Sequence, residues 1–244
     1  MSQGSEVPRK PPWVLDELAT AGRENLDPVH ASQYDRKEDA RAADEVQLLV
    51  ELGLDQTKDV VDLGAGTGQF AVAAADVSNR VIAVDVSEVM LNQLRAKVTE
   101  AGVSNIEVVN AGFVTYHHQG RPADFVYSRW ALHQIPDFWK SVALVRIRRA
   151  LRPGGVLRLS DIVYSFDPAE AENRIEAWCA SLPAAVHSES EGEWVRADIE
   201  EHARDEHSTY TWLLEPMIER CGFHIESAVR SPDGFFAEYI ARAT

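Results

Sequence analysis

The chemistry open to this sequence is concentrated in one run, Val60-Val61-Asp62-Leu63-Gly64-Ala65-Gly66-Thr67-Gly68-Gln69-Phe70. A β-branched stretch ending in an acid leads into three glycines interleaved with small residues, and a helical pattern follows. That order predicts a buried strand turning tightly beneath the N-terminus of a helix. Glycines at 64, 66 and 68 leave the turn without Cβ atoms, and Ala65 adds only a methyl, so a ligand can lie against bare backbone. The spacing is Gly-x-Gly-x-Gly, not the Gly-x-Gly-x-x-Gly that seats a pyrophosphate on a helix N-terminus. Asp62 stands just before the turn and faces the crevice above it. A carboxylate there repels phosphate and suits a ligand carrying an ammonium group.

Open α/β sheets bind ligands at the carboxyl ends of their strands, so the other strand ends supply the remaining candidates. Asp85 closes the run Val81-Ile82-Ala83-Val84. It can accept both hydroxyls of a ribose, or instead cap the helix that starts near Ser87. Val86 and Met90 just beyond offer an apolar slot for a purine face. Gly112 and Phe113 end a third strand, Ser128, Arg129 and Trp130 a fourth, and Asp161 and Tyr164 follow a fifth. His133, in Ala131-Leu132-His133-Gln134-Ile135, lies on the loop after the fourth strand. Its imidazole can act as a general base near neutral pH, or simply order the loop. Tyr34, in Gln33-Tyr34-Asp35-Arg36, falls where an N-terminal segment would cross the crevice, touching the ligand or packing on the sheet edge.

Metal binding is not expected. His117 and His118 are adjacent, with side chains pointing different ways, and read as a surface loop. His187, His202 and His207 fall in an acidic stretch whose helix faces should be solvated. Cys179 and Cys221 stand alone, without Cys-x-x-Cys spacing or a disulfide framework.

These residues need elements to hold them, and the chain alternates strands and helices as a parallel sheet does. Strands are expected at 59–63, 81–85, 107–110, 125–128 and, after a sharp Pro153-Gly154-Gly155 turn, 156–160. Helices are expected at 68–75, 89–101 and 138–151. Residues 1–12 read as a disordered tail and 13–244 as one domain, opening with a helical lid over 13–56. Residues 165–207 carry twelve carboxylates against three arginines and read as a helical insertion over the sheet's carboxyl edge. Trp178 and Trp194 within it can wall off an apolar ligand or merely pack. A last helix ends at Cys221-Gly222. Strands at 224–229 and 235–241 then flank Ser231-Pro232-Asp233-Gly234, a hairpin that turns the final strand antiparallel.

Four features in order, Val60–Gly68, Val81–Asp85, Asp124–Ser128 with Ala131-Leu132-His133, and Leu151-Arg152-Pro153-Gly154-Gly155, resemble the class I S-adenosylmethionine-dependent methyltransferases, and within them the group acting on small molecules. The resemblance implies a Rossmann-like, doubly wound, mostly parallel seven-stranded sheet with an antiparallel C-terminal strand. It also implies S-adenosyl-L-methionine as cofactor. Gly64, Gly66 and Asp85 would hold its methionine part and ribose, and Asp62 its ammonium end. Ala65, Gly68, Val86, Met90, Gly112, Phe113, Ser128, Arg129 and Tyr34 complete the cofactor set. Trp130, His133, Asp161 and Tyr164 would line the acceptor side. The family usually has an acid after the third strand for the adenine amino group; Gly112 stands at that position. A lone Asp161 does not make the acid–acid–amide metal site of its catechol-type relatives.

A net charge of -15 over 244 residues disfavours nucleic acid as a partner. No apolar run is long enough for a membrane span and no secretion signal is visible, so a cytoplasmic enzyme with a small-molecule acceptor is expected. Oligomeric state is open. A nicotinamide-dependent oxidoreductase shares the strand–glycine–helix start, but its glycine spacing and lack of a terminal hairpin speak against it. A non-catalytic binding module is the other alternative.

Overall fold

Val60, Val61 and Leu63 of β1 (Asp59–Leu63) are all buried, because helices cover both faces of the strand. The computed structural model describes residues 11–37, 41–182 and 194–244. His187 and all but the last two residues of the expected tail lie outside the described residues. The other strands are β2 (Arg80–Asp85), β3 (Ile106–Asn110), β4 (Ala123–Arg129), β5 (Leu151–Tyr164), β6 (Thr209–Tyr210), β7 (Phe223–Arg230) and β8 (Phe236–Ala243). The main sheet runs β3-β2-β1-β4-β5-β8-β7, seven strands as expected. β1 to β5 pair in parallel, and β8 pairs antiparallel with both β5 and β7. Two-residue β6 adds an eighth strand off this path, on the far end of β5. The reversal of strand order falls between β1 and β4, which opens a crevice above the glycine turn.

Alternation along the strands splits the core in two. Val61, Leu63, Ile82, Val126 and Leu157 point to one face, where Leu144 and Ile218 of helices Asp137–Ala150 and Thr211–Arg220 meet them. Val60, Val81, Ala83 and Phe125 point to the other. There Leu49, Phe70 and Leu91 come from helices Ala42–Glu51, Gln69–Ala75 and Glu88–Ala101. A strand buried on both sides reads as continuous apolar residues, which is why β1 and β2 are plain in the sequence.

The Pro153-Gly154-Gly155 stretch is not a turn into β5 but lies within it. Leu151 already pairs with Ala123, and the register then shifts so that Val156 meets Phe125. Gly154, at φ +72°, takes up the extra residues.

Short N-terminal helices, Glu17–Thr20, Arg23–Leu26 and Pro28–Lys37, cross the carboxyl ends of the strands. Asp35 ties them to the glycine turn, accepting from Thr67 Oγ1 and, at 3.0 Å, from Gln69 Nε2. Ser87, the N-cap of helix Glu88–Ala101, donates to Asn25 O at 2.5 Å. On the other side, helices Ala171–Ala180 and Arg196–Asp205 are clamped together by Arg196 and Glu176 at 2.9 Å. They stand over an aromatic cluster of Tyr164, Phe166 and Phe235. Among the described residues, no helix is long and apolar enough to cross a membrane.

Candidate active site

Two adjoining spaces open at the strand ends. A crevice lies over the glycine turn, lined by Gly64, Gly66, Asp85, Val86, Gly112 and Phe113, with a side recess lined by Asp62, Ala65 and Tyr127. Beside it is a larger cavity, about 170 Å3 against about 70 Å3 for the crevice, walled by Trp130, Trp178, Trp194 and Phe236. Tyr34 and Trp130 line all three spaces and form their common wall.

Asp62 is buried, and its Oδ2 has no hydrogen-bond partner in the described structure; nor has the hydroxyl of its strand neighbour Tyr127. Burial, and secondarily the charge of Asp85, push the Asp62 carboxyl well above its ordinary range. An orphaned buried carboxylate beside bare glycine backbone fits a ligand ammonium group. Asp85 is held at both oxygens, Oδ2 by Gly66 N–H and Oδ1 by Ser87 N–H, each at 2.8 Å. Burial raises its carboxyl, while those amides act in the opposite direction. Ser87, not Asp85, caps the helix, so Asp85 is left to face the crevice.

Glu17 was not among the residues expected at the site. Its buried carboxylate reaches from the first helix, accepting from Val114 N at 2.8 Å and Thr115 Oγ1 at 2.8 Å. A Cβ on Gly112 would overlap this carboxylate. A carboxylate from 95 residues earlier in the chain thus lines the crevice beside Gly112, a neighbour that local sequence reasoning cannot supply.

Trp130 adopts φ +48°, a left-handed backbone that bulky residues rarely take. Its ring is wedged between Phe236, stacked at 5.6 Å, and the Arg129 guanidinium at 4.1 Å. Ser128, Met90, Gly68, Asp161 and Tyr164 line none of the three spaces. Met90 is fully buried beneath its helix, so Val86 and Phe113 line the crevice but Met90, expected with them, does not. Gly68 instead lets Leu94 pack against the turn, 2.6 Å from where a Cβ would sit.

His133 is buried with Nδ1 2.5 Å from Asp161 Oδ1, and its backbone N–H donates to Asp161 Oδ2 at 2.9 Å. Its Nε2 lies 3.2 Å from Glu206 Oε2. Burial disfavours a charged imidazole, but the two carboxylates outweigh it and push His133 up to about 10. The two carboxylates beside the ring thus favour its charged form. His202, expected on a solvated face, is buried, shares Glu206 Oε2 with His133, and lines the larger cavity. Its position needs the fold: the helix carrying it turns that face inward. His117 remains exposed, against Arg146 Nη1 at 3.0 Å.

Residues 60–155 match a family model described as a methyltransferase domain. That central part of the chain is therefore similar to a methyltransferase domain. Trans-aconitate 2-methyltransferase of Variovorax paradoxus is 31% identical over 128 residues, 52% of this chain and 47% of that protein. Demethylmenaquinone methyltransferase of Listeria monocytogenes is 30% identical over 105 residues, 42% of this chain and 44% of that protein. The chain therefore matches under half the length of these curated relatives. A methyltransferase structure from Aquifex aeolicus shares the fold at a TM-score of 0.62 and 17% identity, covering 90% of this chain and 100% of that one. The matched segment of the methyltransferase domain, from β1 to the start of β5, contains the glycine turn, Asp85 and the loop of Trp130 and His133.

Proposed function

We propose that this chain methylates a small, largely apolar acceptor, with S-adenosyl-L-methionine in the glycine crevice and the acceptor in the aromatic cavity beside it. The observation that carries this is the shared wall: Tyr34 and Trp130 line both spaces, so two ligands can meet there. The relatives' names point the same way, since trans-aconitate and demethylmenaquinone are small molecules. The -15 net charge supports a small-molecule acceptor over a nucleic acid.

S-adenosyl-L-methionine supplies, when bound, a sulfonium methyl open to in-line attack. The chain's part is to hold and align. Asp62, with Tyr127, would pair with the ammonium group, and Arg129 and Tyr34 on the same wall would meet the carboxylate. Asp85, fixed by two amides, would accept the ribose hydroxyls. Glu17 would accept from the adenine amino group while Val86 and Phe113 cover the ring. Trp130, Trp178 and Phe236 would exclude water and fix the acceptor's approach, where alignment contributes most to such a displacement.

The test is calorimetry with S-adenosylhomocysteine and NAD, followed by a methyl-transfer screen over small aromatic and apolar carboxylic acceptors. Binding of S-adenosylhomocysteine and turnover of an acceptor, with Trp178→Ala raising KM, are expected. Stabilisation by NAD alone would reverse the cofactor assignment, and cofactor binding without any turnover would favour a non-catalytic module.

A further inference from the structure

The floor of the larger cavity brings together His133, His202 and Glu206, one ligand-type atom from each lying within 4.8 Å of the others. His202 and Glu206 are four residues apart on helix Arg196–Asp205 and its C-cap, which puts both on one face. His133 meets them from the turn Leu132–Gln134 after β4. His133 Nε2 is 3.2 Å from Glu206 Oε2, and His202 Nδ1 approaches the same oxygen. Ligands about 2.0–2.2 Å from one ion are separated by about this distance.

Each of the three is also oriented from behind. Asp161 takes His133 Nδ1 and so leaves Nε2 projecting. Ser208 Oγ, at 3.0 Å, and the Tyr164 hydroxyl, at 3.5 Å, meet His202 Nε2 and leave Nδ1 projecting. Gln134 Nε2 donates to Glu206 Oε1 at 2.9 Å, leaving Oε2 for the histidines, and also sits 3.0 Å from His133 Nε2. Such outer partners fix the ring orientation and basicity of metal-bound histidines. A purely structural network would serve as well to bury two imidazoles. It does not require the two imidazole nitrogens and the carboxylate oxygen they share to line a cavity, as these do.

We propose that His133, His202 and Glu206 bind a divalent transition-metal ion at the floor of the acceptor cavity. Two imidazole nitrogens and one carboxylate oxygen suit zinc, iron(II), cobalt(II) or manganese(II) better than magnesium or calcium. Three protein ligands leave positions open toward Trp130, Trp178 and Ile199, where an oxygen of a bound acceptor can complete the coordination. An oxygen held there is easier to deprotonate, which would activate an acceptor hydroxyl or acid for attack. The site itself stands independently of the methyl-transfer reading.

The experiment titrates the chelator-treated full chain with cobalt(II), followed by visible absorption, and with zinc, followed by calorimetry. One equivalent per chain and visible ligand-field bands are expected. Glu206→Gln and His202→Ala should weaken zinc binding at least tenfold, and Asp161→Asn by about 10–100-fold as an outer partner. S-adenosylhomocysteine affinity, measured in the same variants, reports that the fold and the crevice survive. If a variant loses that too, the wild-type chain decides alone: cobalt(II) should broaden the ring NMR signals of His133 and His202 and spare those of His117. No saturable uptake, uptake unchanged in both ligand variants, or broadening at His117 alone would overturn the site. Loss of S-adenosylhomocysteine binding by wild type with metal uptake intact would instead count against the proposed function.

Discussion

At the scale of single residues, Asp62 is held in a state that costs stability. Its folded-state carboxyl is raised by burial and by Asp85, so the unfolded chain releases its proton first as pH rises. Stability from this residue is complete below the ordinary carboxyl range and is lost as pH climbs through the folded value. Asp62→Asn should therefore be more stable than wild type at neutral pH by about 1–3 kcal/mol, and no more stable in acid. Denaturant unfolding at two pH values checks this; equal stability at neutral pH would mean Asp62 is already paired. The same variant should bind S-adenosylhomocysteine more weakly by about 1.5–3 kcal/mol, because a charged partner for the ammonium group is gone. Glu17 makes a different prediction. If its carboxylate accepts from the adenine amino group, the inosine analogue, which presents an oxygen there, is repelled. Glu17→Gln keeps the shape and can donate to that oxygen, so it should shrink the preference for S-adenosylhomocysteine over its inosine analogue by about 0.5–1.5 kcal/mol. Calorimetry with both ligands measures it, and an unchanged preference removes Glu17 from the adenine contact.

Elements differ in how openly they are written. β1, β2 and the helices after them were legible because apolar runs buried on both faces leave few alternatives, and the glycine turn announces its own geometry. The hairpin β7–β8 was legible from Ser231-Pro232-Asp233-Gly234. What was not legible depends on side chains that meet only after folding: Glu17 beside Gly112, Tyr127 beside Asp62, and His202 with Glu206 beside His133. His202 and Glu206 show i,i+4 spacing, but an acidic stretch hides which helix face turns inward. The Gly64 turn lets these levels be separated. Gly53 and Gly64 both sit at positive φ, +99° and +76°, so alanine at either carries a backbone cost of about 1–2 kcal/mol. At Gly53 nothing lies within 4 Å of the new Cβ, whereas at Gly64 it would overlap Ala131, on the loop that carries Trp130 and His133. Gly53→Ala should lower stability alone. Gly64→Ala should also lower S-adenosylhomocysteine affinity, and equal affinity in both would show that the turn yields without disturbing the site.

Across the whole molecule, one buried cation joins helix Ala42–Glu51 to the far half of the sheet. Arg158 on β5 is 4% exposed and donates to Glu45 through Nε at 2.8 Å and Nη2 at 2.7 Å. Nη2 also reaches Glu238 of β8 at 2.6 Å. The guanidinium is held above its ordinary range: burial opposes the charge, but its hydrogen bonds to Glu45 and Glu238 outweigh it. The three members are not equivalent, because Glu45 is 13% exposed and Glu238 44%. Removing Arg158 leaves Glu45 buried without its partner, a loss of about 3–5 kcal/mol for a broken buried pair. Removing Glu238 leaves Arg158 still paired with Glu45 and takes away a largely solvated charge, a loss of about 0–1 kcal/mol. Glu45→Gln combined with Arg158→Met removes both buried charges and should recover most of what Arg158→Ala loses, since the burial cost goes with them. None of the three lines the crevice, so S-adenosylhomocysteine affinity of the folded protein should stay constant throughout. Unfolding curves for the three variants test the order directly. Equal losses for Arg158→Ala and Glu238→Ala would show that the cation is held by water and that helix Ala42–Glu51 docks here on apolar contacts alone.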